Sequence, residues 1–393
     1  MKLSNKKRLL ILTSRFPYPH IGGDKVRVYN FIKLLSQKYE IDLVSLSDES
    51  IRQENIVEME KYCKQVKVFS LSKKMSFLKT FIGLFNKQPL QVNYYYSKQL
   101  QCWVDANVER YSGVFCYHIR TTKYLEKHKN LFRVVDFVDA ISMNCLNSIK
   151  TSNGFSKQLY KMEYRKCLRY ENEIIKEFNK VAIISEVDRS IYTRNVDFKK
   201  IEIVGNYVPE IITSNTVQES SNSICFFGKM NYKPNIDAVK FFVSEIFPTL
   251  KLRNKNLILK VVGAHPTQEI MDLADQDGVH ITGFVDNPYN LIKESDVVIA
   301  PMISGSGIQN KILESMMLGK CVITSKIGAE GLKVQTEKEL IICKTKNDYL
   351  DKIELCLNDR NYRDSIGSNA KLYIENNFSE NMIKKQLFKL IDI

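Results

Sequence analysis

The stretch Gly305–Ser306–Gly307–Ile308–Gln309–Asn310–Lys311–Ile312–Leu313–Glu314 brings two glycines, a lysine and a glutamate into one short segment. Apolar runs bound it, Val297–Pro301 before and Cys321–Thr324 after, so it reads as strand, glycine loop, helix, strand. Such a loop turns backbone N–H groups at a helix start toward a ligand, where the positive end of the helix dipole suits phosphate oxygens. Lys311 adds positive charge, and Glu314, further into the helix, can reach a sugar hydroxyl of the same ligand. A crossover whose glycines serve only tight packing has the same local pattern.

A second loop of this type, Gly228–Lys229–Met230–Asn231–Tyr232–Lys233–Pro234–Asn235, also follows an apolar run. Pro234 and Asn235 suit a helix start. Lys229 and Lys233 can clamp a diphosphate as point charges, although loop lysines are commonly just solvated. Three lysines and two helix N-termini converging on one ligand make a stronger case than either loop alone.

The elements that must hold these loops repeat one grammar. The first half opens with a strand, Arg8–Thr13, then a loop with Pro17, Pro19, Gly22 and Gly23, an amphipathic helix, and a second strand, Ile41–Leu46. Further short apolar runs at Val66–Phe69, Val114–Tyr117, Phe132–Phe137 and Val181–Ser185 alternate with helical patterns, the longest being Ser156–Phe178. The second half repeats this with strands expected at Ile224–Gly228, Leu257–Gly263, Val279–Thr282, Val297–Pro301, Cys321–Thr324 and Leu340–Cys343. Short apolar strands between helices argue for parallel sheets covered on both faces. The expected class is α/β, with two Rossmann-like parallel-sheet domains facing each other across a cleft: a first domain over 1–205, a second over 206–375, and a terminal helix in 376–393 packing back on the first. The polar segment Thr213–Ser223 marks the boundary. Ligands of open parallel sheets bind at the carboxyl ends of the strands, so the loops at Gly22–Gly23, Gly228 and Gly305–Gly307 are expected to open into the cleft.

At 393 residues, with 44% hydrophobic and 26% charged residues, the chain fits about two globular domains. No apolar run approaches the ~20 residues a membrane span requires. The nine cysteines are scattered and lack a CxxC pair, which points to reduced thiols, a cytoplasmic setting and no structural metal. The net charge of +14 is lopsided: residues 1–200 hold 36 Lys+Arg against 20 Asp+Glu, and the remainder 22 against 24. Nucleic acid, an anionic membrane or phosphorylated small molecules fit such an excess, as does simple decoration of solvated faces. Nucleic acid is disfavoured, because the lysines are not interleaved with a recognised module.

Residues 223–375 resemble the donor-binding domain of the retaining glycosyltransferases of group 1, or family 4, which have the GT-B fold. The matching pieces are Gly228–Lys229–Met230 with Pro234–Asn235, Val262–Gly263, Gly283–Phe284–Val285, Asp296–Pro301, Gly307–Gly319 and Gly328–Ala329–Glu330–Gly331. The first half matches more loosely, through Arg15–Pro19, Gly22–Arg27, His118 and Val135–Asp139. The family carries two glutamates eight positions apart; Glu314 matches the second, whereas the first falls on Ser306. The resemblance implies transfer of a sugar from a UDP- or GDP-linked donor to a glycan or lipid-linked acceptor, with retained anomeric configuration and no cofactor or metal. It implies that Glu314 binds the ribose, that Lys229, Lys233 and Lys311 hold the diphosphate, and that Phe284 and Val285 frame the base. Ser306, or the backbone N–H groups of Gly307 and Ile308, would stand in for the missing glutamate, and His118 would sit near the reacting sugar. It further implies surface polysaccharide synthesis at the inner face of the cell membrane. A nucleotide-sugar epimerase and a non-catalytic binding protein on the same fold are the competing readings.

Residues Lys73–Lys87, with Met75, Phe77, Leu78, Phe81, Ile82, Leu84 and Phe85 among lysines, read as a basic amphipathic helix. It is expected either to lie on an anionic membrane or to be buried against the sheet.

Overall fold

The structure, a computed structural model, describes residues 6–19, 23–192, 196–209, 211, 213, 221–305 and 307–393. The chain divides into two compact units, one formed by Met1–Asn206 with Ile383–Ile393 and the other by Tyr207–Met382. The first unit is therefore discontinuous in sequence: the helix Glu380–Leu390 starts in the second unit and ends in the first.

The first unit is built on a seven-stranded sheet: β1 (Arg8–Thr13), β2 (Glu40–Ser47), β3 (Gln65–Ser70), β4 (Gly113–Tyr117), β5 (Phe132–Asp136), β6 (Lys180–Ile183) and β7 (Ile201–Ile203). The order is β3-β2-β1-β4-β5-β6-β7, with every pair parallel. β1 and β4 are buried along almost their whole length, as expected of central strands covered by helices on both faces. The short β7 is a strand that the apolar pattern did not suggest.

The second unit has a six-stranded parallel sheet: β8 (Ser223–Phe227), β9 (Ile258–Val262), β10 (Val279–Gly283), β11 (Val297–Ala300), β12 (Cys321–Ser325) and β13 (Ile341–Cys343). Its order is β10-β9-β8-β11-β12-β13. Each strand falls within a residue or two of its expected position.

Both sheets reverse their winding once, between β1 and β4 in the first and between β8 and β11 in the second. At such a reversal the two following loops run to opposite faces and leave a crevice at the carboxyl ends of the strands. The loop after β8 is Gly228–Lys233 and the loop after β11 is Gly305–Ile308, so the topology places both expected phosphate loops at the switch point of their sheet. In the first unit the corresponding positions belong to Arg15 and its neighbours after β1 and to His118 after β4.

One helix has an unusual orientation. In Lys73–Gly83 the buried residues are the small ones, Ser76 and Gly83. The large apolar side chains Met75, Phe77, Leu78, Phe81 and Ile82 are exposed, as is Phe85 beyond the helix end. The expectation that this segment buries its apolar face against the sheet is therefore overturned.

Candidate functional site

In the second unit the two loops are locked together by one asparagine. Gly228 adopts φ 152, a conformation that disfavours a side chain, and a Cβ there would lie 2.8 Å from Asn235 Nδ2. Asn235, in the first turn of the helix Lys233–Glu245, is buried. Its amide donates to the Lys229 carbonyl at 2.9 Å, and its Oδ1 accepts from Lys311 Nζ. Lys311 lies in the first turn of the helix Asn310–Met317. A single side chain thus ties the loop after β8 to the helix after β11. The close approach of Gly263 completes the seat: a Cβ at Gly263 would fall 1.7 Å from the Gly228 carbonyl oxygen. Gly305 (φ 119) and Gly307 (φ 70) both take positive φ; a Cβ on Gly305 would come within 3.7 Å of Pro234 Cβ, whereas one on Gly307 would meet nothing within 4 Å.

The charges here are partly withdrawn from solvent, Lys311 and Glu314 both being half-buried. The partners of Lys311 Nζ are the neutral Asn235 Oδ1 and, at 3.6 Å, Met302 Sδ, and the ammonium lies 4.8 Å from the Phe226 ring centroid. Burial holds its pKa down to about 7, with Glu314 pulling it back up. Glu314 stands one turn along the same helix. Burial pushes its carboxyl up to about 7, opposed by a hydrogen bond from Tyr289 and by the Lys311 charge. Tyr289, on the helix Pro288–Glu294, has its own hydroxyl raised, first by burial and then by Glu314. A cation without an anionic hydrogen-bond partner, beside a carboxyl near its midpoint and under two glycine loops, is poised to receive an anionic ligand that carries hydroxyl groups.

The other expected residues of this unit are placed differently. Lys229 is exposed. Lys233 is also exposed and pairs with Asp237 of its own helix at 2.6 Å, so the structure brings Lys311 and Asn235 together without Lys233. Phe284 is exposed, while Val285 and Ile308 pack against the core. Ser306 lies outside the described residues. Asn235, expected only as a helix starter, and Tyr289, which no motif marked, are the residues sequence reasoning missed. An asparagine just after a glycine–lysine loop was a usable signal for the first; the second is a contact remote in sequence.

In the first unit His118 is buried and adopts φ 66, a left-handed conformation that costs a non-glycine residue. Among the described residues neither ring nitrogen has a hydrogen-bond partner of normal geometry. Burial lowers its pKa well below the usual histidine value, and Arg120, Arg15 and Arg27 act the same way, with the backbone of Phe137 pulling against them; the ring is neutral at physiological pH. A small cavity beside it is lined by Ser14, Arg15, Lys25, Val28 and Tyr117. Arg15 Nε donates to Tyr95 Oη at 3.0 Å, and the Arg120 guanidinium lies 4.9 Å from the same ring's centroid. Arg27 serves the fold rather than the cavity. It is buried on Asp136, with Nε–Oδ2 at 2.7 Å, and donates also to the Val204 and Gly205 carbonyls at 2.8 and 2.9 Å. Gly23 is the exposed first residue of the helix Gly23–Leu35, and Gly22 lies outside the described residues.

Residues 221–359 match the family described as glycosyl transferases group 1. The chain is 21% identical to an uncharacterized 44.6 kDa protein in the cps region of Klebsiella pneumoniae, over 97% of this chain and 99% of that one. It is 27% identical to the capsular polysaccharide biosynthesis glycosyltransferase CapM of Staphylococcus aureus, over 37% of this chain and 41% of CapM. Its fold is similar to that of Anabaena HepE in complex with UDP and glucose, with a TM-score of 0.65 at 15% identity over 98% of this chain and 99% of HepE. The two parallel-sheet units are those of the GT-B fold, and residues 221–359 are a group 1 glycosyltransferase domain.

Proposed function

We propose that the chain is a retaining glycosyltransferase that moves a sugar from a UDP- or GDP-linked donor to a glycan or lipid-linked acceptor in the synthesis of a surface polysaccharide. The observation that carries this reading is the Lys311–Asn235 contact beneath the Gly228 and Gly305–Gly307 loops, with Glu314 one turn away. Similarity to CapM and to the cps-region protein supports the polysaccharide setting, and HepE, which holds UDP and glucose, supports the donor class.

In this reading the donor diphosphate lies against Lys311 and the loop N–H groups of Gly307 and Ile308, with Lys229 and Lys233 contributing longer-range charge. Glu314, oriented by Tyr289, accepts from the ribose hydroxyls, and Phe284 and Val285 frame the base. As the bond between the anomeric carbon and the diphosphate oxygen breaks, negative charge grows on the diphosphate. A buried ammonium stabilises that charge more in the transition state than in the bound donor, which is what lowers the barrier. The acceptor hydroxyl attacks from the face the diphosphate leaves, and the departing oxygen takes its proton, so no pair of catalytic carboxylates is needed. Lysine and backbone N–H groups do the work a metal ion does elsewhere. His118, neutral and unpaired, is assigned to the acceptor side.

The test is a thermal-shift screen over nucleotides and nucleotide sugars, followed by turnover with the donor that stabilises most. Glu314→Ala and Lys311→Met should each lower turnover by on the order of 100-fold or more while the protein stays folded. Near-normal rates in both variants would overturn the site. Binding with no transfer or hydrolysis of any donor would favour the non-catalytic reading.

A further inference from the structure

The Lys73–Gly83 helix docks on its unit through its small and polar side. Ser76 and Gly83 are its buried residues, and a Cβ on Gly83 would lie 2.7 Å from Asn93 Nδ2, so any larger residue there would have to push the Asn93 side chain aside. Lys79 turns inward, donating to the Tyr96 carbonyl at 2.7 Å, and Thr80 donates to the Ser76 carbonyl at 2.9 Å. The helix end is pinned from outside its own segment: Lys166 Nζ donates to the carbonyls of Gly83 and Leu84 at 2.8 and 3.0 Å, and Arg169 donates to the Lys87 carbonyl. The opposite face carries Met75, Phe77, Leu78, Phe81 and Ile82, each at least half exposed, and Phe85 follows at 85% exposure. This inverts the usual arrangement, in which the apolar stripe of a surface helix faces the core. Six large apolar side chains in contiguous sequence, held outward by a docked polar face, form a patch that a soluble monomer does not ordinarily present to water.

The charges around the patch select its partner. Lys73, Lys74 and Lys87 are exposed beside it, and the only acidic contact of these three among the described residues is that of Lys73 with Asp48, at 3.5 Å. The helix itself contains no acidic residue, and it belongs to the half of the chain that holds the whole positive excess. No helix of the described residues is long and apolar enough to cross a membrane. An apolar face bordered by lysines, on a helix with no carboxylate of its own, matches a surface that is anionic outside and apolar just beneath. We propose that this face seats on an anionic lipid bilayer, with Phe81, Ile82 and Phe85 entering the boundary between headgroups and acyl chains and Lys73, Lys74 and Lys87 meeting lipid phosphates. The seat stands apart from the donor site and does not rest on the proposed transfer reaction.

The experiment is sedimentation of the full-length protein with vesicles of phosphatidylcholine alone or mixed with phosphatidylglycerol. The protein should pellet with the mixed vesicles, much less with neutral ones, and less as salt rises. Phe81→Ser with Phe85→Ser should weaken partitioning by on the order of 100-fold, about tenfold for each aromatic ring withdrawn from the bilayer. Lys73→Glu with Lys74→Glu and Lys87→Glu should abolish the preference for phosphatidylglycerol. Both variants change exposed side chains, so circular dichroism and the melting temperature should match the parent. Failure to bind mixed vesicles, or equal binding by the Phe81/Phe85 variant, overturns the proposal. Concentration-dependent self-association that Phe81→Ser with Phe85→Ser removes, without vesicle binding, would assign the face to a second copy of the chain instead.

Discussion

Lys311 should make donor affinity fall as the solution becomes alkaline. In the unliganded protein burial holds its ammonium at about 7, against an ordinary value of 10.5. A diphosphate at hydrogen-bond distance favours the charged form and moves the group back toward its ordinary range. Above neutrality, binding then takes up a proton. The sign follows directly: the free site loses its proton as pH rises through 7, the complex keeps it, and affinity drops with pH. About half of the free sites are protonated near pH 7 and about one in a hundred near pH 9, so the dissociation constant should rise about 50-fold, or roughly 2 kcal/mol. Isothermal titration calorimetry with the nucleotide sugar that stabilises the protein most, run near pH 9 in two buffers of different ionisation enthalpy, should report uptake of nearly one proton. The parent nucleoside, which lacks the diphosphate, should show no alkaline weakening. Lys311→Arg, charged throughout, should bind with little dependence on pH. Affinity that stays flat from pH 7 to pH 9, with no proton uptake, would refute the assignment of Lys311 to the diphosphate.

The same burial makes a stability prediction. Glu314 has its folded pKa raised to about 7 from 4.5, so its ionised form costs the fold about 3 kcal/mol above pH 7, a cost that disappears below the unfolded value. Glu314→Gln, which keeps an acceptor for Tyr289, should therefore raise the unliganded melting temperature at pH 8 by several degrees while turnover collapses; a lower melting temperature would contradict this. Gly263→Ala should cost nucleotide binding far more than helical content, because its Cβ would displace the Gly228 carbonyl, and equilibrium binding beside circular dichroism separates the two effects. Arg27→Ala leaves Asp136 as a buried unpaired charge and should destabilise by about 3–5 kcal/mol in urea titration, with a loss below 1 kcal/mol refuting the role. His118→Ala should lower turnover without changing the acid limb of the pH–rate profile, since the parent ring is already neutral there; loss of a limb near pH 6.5 in the variant would show that His118 titrates during the reaction.

The strands were legible because buried parallel strands leave uninterrupted apolar runs, and the glycine loops because each sits between an apolar run and a helix start, although tight packing alone gives the same pattern. β7 was missed because three residues, Ile201–Ile203, give no periodicity. The Lys73–Gly83 helix was legible as amphipathic, but period alone does not say which face meets the protein. That choice was made by Gly83 against Asn93 and by Lys166, both remote from the pattern. At the site, Lys311 and Glu314 were readable from spacing within one helix. The Asn235 bridge and the Tyr289 hydrogen bond join separate loops and emerge only when β8 and β11 lie side by side. Lys233 shows what a motif does not reveal: without a ligand it pairs with Asp237, four residues along its own helix.

The discontinuity of the first unit bears on the order in which the protein is made. Its sheet is complete by residue 203, yet part of its packing comes from residues 383–393, beyond the second unit: Tyr39 donates its hydroxyl to the Ile391 carbonyl, the N–H of Gly205 reaches Gln386 Oε1 at 3.3 Å, and Ile393 fills the space over Gly113. During synthesis all of the second unit emerges while the first still lacks this closing segment. Removing residues 383–393 would strip the first unit of these contacts while leaving every strand of its sheet in place. Residues 383–393 follow the second unit in sequence yet complete the first, so the unit that begins the sequence is closed by a segment synthesised after its neighbour.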